Sequence, residues 1–142
     1  MAHMASEASA AVAAATASTE PSGAVPAATI ELMDLLAFVY LQNGLPDKAA
    51  VLLAARNILA PEDPRALLSL ALAQVRSAKP QRALNTLEQL ALLGAMDASF
   101  HLVRAQALHA LDRRDEAAAA MRAFVAQRNA AEPTPETAPT GR

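Results

Sequence analysis

The side chains able to do chemistry in this 142-residue chain are few, and their spacing is wrong for it. His101 and His109 stand eight residues apart, about two helical turns, which is too far to share one zinc without further ligands. No such ligands accompany them. His3 belongs to Met1-Ala2-His3-Met4, which reads as a vector-derived leader ahead of a native start at Met4. Asp112, Asp115 and Glu116 fall where a helix should begin. They read as a cap and as first-turn partners of the helix dipole, not as an acid/base pair. Arg113 and Arg114 read as a solvated charge pair. Only four glycines occur and none cluster, so no loop can cradle a phosphate. With no cysteine there is neither thiolate chemistry nor a disulfide, which suits a reducing compartment. This inventory predicts no enzyme, no metal site and no cofactor.

What the chain does have is a period. Ala49, Ala83 and Ala117 are spaced by 34 residues; so are Ala37, Ala71 and Ala105, and so are Leu53, Leu87 and Met121. A fixed 34-residue period with small residues at two positions is the pattern of tetratricopeptide repeats, helix pairs that stack into a solenoid. Small residues are required because the two helices of a pair cross closely. The first repeat also carries Tyr40, Gly44 and Pro61 at their expected places. The later repeats are degenerate, with Ala78 and Asp112 at the turn position of Gly44. A generic Ala/Leu-rich helical bundle would share the composition but not these three placements.

The predicted fold is therefore all-α: a tetratricopeptide-repeat α-solenoid of three helix-turn-helix repeats, six helices in all. Gly44 and Pro46 end the first helix, begun near Ile30, and a second starts near Asp47 and stops before Pro61. Asp63 caps the third, with Pro64 in its first position, and Pro80 opens the fourth, which ends near Gly94. Asp97 and Asp112 are the expected caps of the fifth and sixth. The expected repeat domain covers 29–130. Residues 1–28 are Ala/Ser/Thr-rich low complexity, expected to be disordered apart from a frayed helix over Ala8 to Ala17. Residues 131–142, with Pro133, Pro135 and Pro139, read as a disordered tail.

Composition narrows the function. Aromatic residues make up only 3%, so the core must be Leu, Ala and Val in close-packed helices. A net charge of −2 leaves no electrostatic footprint for nucleic acid. The first Lys or Arg is Lys48, so the start lacks the positive region of a secretory signal; it is also too polar to insert in a membrane.

In this architecture the first helix of each pair lines a concave face. The positions that point into it are Asp34, Phe38 and Leu41; Leu68, Leu72 and Val75; Leu102, Gln106 and His109. A strip this apolar marks either a partner-binding groove or a face covered from within, for example by the N-terminal segment. Some tetratricopeptide domains grip a chaperone's C-terminal carboxylate with Lys, Asn and Arg. Here Asp34 and Phe38 occupy the first two of those places, and Asp34 should repel a carboxylate. On the last helix Met121, Phe124 and Val125 lack a following helix to cover them fully, which predicts a partner, a dimer contact or marginal stability.

Three short runs carry a narrower likeness: Gly44-Leu45-Pro46-Asp47-Lys48-Ala49 followed by Leu52-Leu53, Leu59-Ala60-Pro61-Glu62, and Leu102-Val103-Arg104-Ala105-Gln106. Over about 32–128 the chain resembles the small tetratricopeptide-like chaperones of bacterial type III secretion, particularly the YscY kind. The translocator chaperones of those systems are a close competitor, through Phe100-His101 and Ala105. The resemblance implies a cytoplasmic bacterial protein that holds a small, aggregation-prone export substrate, YscX-like, in its apolar groove. The alternative is a scaffold subunit of a constitutive assembly.

Overall fold

The computed structural model describes residues 25–132. Residues 1–24 and 133–142, where the frayed helix and nearly all of both low-complexity segments were expected, lie outside the described residues. Every described regular element is an α-helix: α1 (Ala27–Gln42), α2 (Pro46–Leu59), α3 (Pro64–Arg76), α4 (Pro80–Leu92), α5 (Ala98–Ala110) and α6 (Arg114–Ala131). Each packs against its neighbours in sequence, and α3 also meets α5, so the pairs α1–α2, α3–α4 and α5–α6 stack as successive repeats. This is the predicted three-repeat solenoid. Among the described residues no helix is long and apolar enough to cross a membrane.

Helix starts follow local chemistry. Pro46, Pro64 and Pro80 each open a helix, where the missing N–H has no intrahelical role. Asp63 accepts the Arg65 backbone N–H and Asp97 that of Phe100, both at 3.0 Å, as the two predicted caps. Asp112 does not cap α6. The cap position is Arg113, without a side-chain cap bond, and Asp112 lies one residue earlier with φ 59°.

That displacement has a common cause in all three repeats. Gly44, Ala78 and Asp112 each adopt the left-handed conformation, with φ 70°, 60° and 59°. In each, the residue after it donates to a carbonyl five residues back: Leu45 to Tyr40, Lys79 to Gln74 and Arg113 to Leu108, at 2.8–2.9 Å. These are Schellman terminations, which close the orphan carbonyls of the helix end. The turn is thus preserved where the glycine is not.

The ladder alanines are the points of closest approach. Ala49, Ala71 and Ala83 are fully buried, Ala37 nearly so, and Leu53 and Leu87 pack beside them. The core divides in two. The larger part joins the second and third repeats through Leu67, Leu87, Leu90, Phe100, Val103 and Leu108 among others. The smaller joins the first repeat to the second: Ala37, Ala49, Leu53, Leu70 and Ala73 are its buried residues, with Tyr40, Leu41, Ala50 and Leu52 packed against them.

Candidate partner-binding site

Helix α1 is apolar on almost every side, yet Ala37 is its only buried residue. A helix apolar all round is ordinarily enclosed. Phe38, 57% exposed, and Leu41 line a depression of about 320 Å³ between α1 and α3. Its floor is the small side of α3, Ala66 and Ser69, with Leu53 behind and Arg65 at the rim.

The other expected groove residues divide by repeat. Leu68, Leu72 and Val75 are half-buried and pack along the edge of the larger core. Leu102 is half-buried too. Gln106 and His109 are exposed and line a different, largely apolar depression of about 460 Å³ between α5 and α6, together with Ala105, Ala117 and Met121. The positions expected to line the groove thus fall in three places: a recess at the first repeat, the edge of the larger core at the second, and a separate α5–α6 depression at the third. Met121 and Val125 are exposed on α6, while Phe124 is half-buried.

Asp34 departs from its expected role. Its carboxylate takes two hydrogen bonds from Arg56, Nε at 2.7 Å and Nη2 at 3.2 Å. Arg56 also donates to Asp63 at 2.7 Å and to the Ala60 carbonyl at 2.8 Å, and is itself only 4% exposed. The hydrogen bond to Asp34 raises the guanidinium's pKa further above its ordinary value, against the opposing effect of burial. Asp34 is therefore an internal partner and not a lone charge that repels a carboxylate. The carboxylate-clamp reading fails instead because no lysine stands at 34 and no asparagine at 38.

Sequence reasoning missed Arg56, though the period held the signal. One repeat on, Arg56 corresponds to Leu90 and Asp34 to Leu68; two repeats on, they correspond to Phe124 and Leu102. The first repeat replaces two apolar positions by a charged pair, and the two departures compensate each other. Gln74 and Thr86 make a milder version in the second repeat: the buried Thr86 hydroxyl donates to Gln74 Oε1 at 2.7 Å.

Several polar residues of the third repeat have partners within the chain. Arg113 and Arg114, expected to be merely solvated, pair with Glu116 and Asp112. The hydrogen bond from Arg113 lowers the Glu116 pKa below the usual carboxylate value. His101 meets Phe100 edge-on at 5.2 Å. Among the described residues no group of three or more His, Asp or Glu side chains is placed to hold a metal.

Helices, left-handed turns and ladder alanines together make a tetratricopeptide-like architecture, which is a protein-interaction fold. No curated protein matches the chain with significance. A family model does, over residues 46–124, from the start of α2 into α6. By that match the chain belongs to the tetratricopeptide-like family described as "Anaphase-promoting complex, cyclosome, subunit 3".

Proposed function

We propose that this domain is a protein-binding chaperone that holds an apolar segment of a partner along its concave side. The observation that carries this reading is Phe38: a large aromatic left mostly in water, beside Leu41, over a recess floored by small residues. An apolar side chain entering that recess would be enclosed between α1 and α3. The partner would then run over Leu68, Leu72, Val75 and Leu102 toward Gln106 and His109. Such a role needs no chemistry at the site, only burial of an exposed segment and its later release. The resemblance to the YscY kind supplies the client class, a small YscX-like export substrate held in the bacterial cytoplasm.

A second reading, a scaffold subunit of a constitutive assembly, is favoured by the family itself, whose description names a subunit of a complex. Affinity capture from the native host, with wild type and Phe38→Asp run side by side, separates them. One small secreted protein, stoichiometric with wild type and lost with Phe38→Asp, supports the chaperone. Several constitutive assembly proteins support the scaffold. Capture unchanged by both Phe38→Asp and Leu72→Asp, with helicity intact, overturns the concave site in either reading.

A further inference from the structure

The two ends of the solenoid present the two halves of the interface that joins its repeats. At the α4–α5 junction, Leu84, Leu87 and Ala91 of α4 meet Phe100, Arg104 and Leu108 of α5. One repeat further along, the α4 residues become Ala118, Met121 and Val125 on α6. Two repeats back, the α5 residues become Leu32, Leu36 and Tyr40 on α1. Leu84, Leu87, Phe100 and Leu108 are buried inside the molecule, whereas of their counterparts at its ends Ala118, Met121 and Leu32 stand exposed and Tyr40 is half-buried.

Burial follows that displacement closely. Leu53 and Leu87 are buried, but their counterpart Met121 is 40% exposed and the neighbouring Val125 49%. Ala66 and Phe100 are buried, but their counterpart Leu32 is 62% exposed; Leu70 is buried and its counterpart Leu36 is 39% exposed. Ala105 and Ala117, which line the depression between α5 and α6, correspond to Ala37 and Ala49, which pack with Leu70 of α3. The recess at the third repeat has the shape determinants of a seat for a helix of the α1 or α3 kind.

Charge agrees. Helix α1 carries no basic residue and has Glu31 exposed, Asp34 being already paired with Arg56, while α6 beyond its first turn carries Arg122 and Arg128 and no acidic residue. Opposite signs on the two faces favour pairing between unlike ends and disfavour pairing between like ends.

We propose that a second copy of this chain docks head to tail, its α1 seated on α5 and α6 of the first, so that the 34-residue stacking continues across the junction. Such an interface is heterologous and does not terminate at two copies. It buries Leu32, Leu36, Met121 and Val125 on the internal pattern, and leaves the Phe38 recess of each copy on the concave side.

Sedimentation velocity on the full chain across a hundredfold concentration range tests this. The expected result is a weight-average mass that climbs through successive multiples of the monomer. Leu36→Asp and Met121→Asp, both on exposed positions, should each remain monomeric with unchanged helicity. Mixed together they should form a 1:1 pair and stop there, because each keeps one intact end. A wild type that stays monomeric throughout overturns the proposal. So does a dimer that stops at two and survives Met121→Asp, which would mean α1 pairing with α1.

Discussion

The first repeat and the second–third pair are built from one 34-residue pattern, yet they are held by different forces. The second and third repeats share a continuous core of leucines, Phe100 and Val103, closed by the ladder alanines. The first joins them through a smaller core of three alanines and two leucines, with Tyr40, Leu41, Ala50 and Leu52 packed against it, and through the Arg56–Asp63 bridge. The Arg56–Asp34 pair ties α1 to α2 within the first repeat. Directionless burial holds one region; in the other, a smaller core is supplemented by a geometrically demanding ion network in which a buried guanidinium meets two partly exposed carboxylates. Burial of leucine is worth roughly 2 kcal/mol per side chain. A buried ion pair recovers little beyond its own desolvation but penalises any misplacement severely. The first repeat is thus fixed in orientation more than it is stabilised, and that leaves its apolar surface for something else.

The sharpest way to break the comparison is to remove a leucine from the stronger region. Leu87→Ala should cost about 3 kcal/mol and lower the denaturant midpoint of the whole domain, because Leu87 joins α4 to the third repeat. A loss confined to the first repeat would contradict the division. Next comes Asp34→Leu, which leaves Arg56 buried with one carboxylate fewer and should cost about 2 kcal/mol. Adding Arg56→Leu restores the apolar pair used by the second repeat, and the double variant should return to within about 1 kcal/mol of wild type or exceed it. Additive losses in a denaturation cycle would show that the two residues do not act together.

Smaller effects probe the turns. Ala78→Gly relieves a left-handed alanine and should stabilise by about 0.5–1 kcal/mol, measured by denaturant melting. Gly44→Ala should do the reverse, and its sign is set by φ alone, since nothing lies near a Cβ built there. The smallest effect is that of Glu116. Its folded pKa is lowered by Arg113, so the pair's stabilisation is present above the unfolded carboxylate value and is lost as pH falls through the folded one. Both groups are exposed and screened, so Glu116→Gln should leave the melting temperature at pH 7 unchanged and only slightly flatten the acid limb.

Much of the fold was legible because it rests on spacing. The ladder alanines fix where helices cross, and Asp63, Pro64, Pro80 and Asp97 mark helix starts by local backbone chemistry that no distant contact overrides. Ala78 and Asp112 were misleading, since without glycine they look like failed turns. The Schellman hydrogen bonds and the packing of the flanking helices hold them left-handed regardless, and this moved the start of α6 past Asp112. Asp34 was legible as a concave position but not as a partner of Arg56, because the pairing spans two helices and a loop. What the concave residues bind is not written in their period. Phe38 and Leu72 hold equivalent positions, and only the folded chain distinguishes the aromatic over a recess from the leucine wedged against the core.

Amide hydrogen exchange on the dilute full chain, resolved helix by helix, tests the division of forces most directly. The account predicts that α1 and α2 open at distinctly lower free energy than α3, α4 and α5, with protection in α1 gained when a partner or second copy is added. Uniform protection from α1 through α5 in the isolated monomer would contradict it.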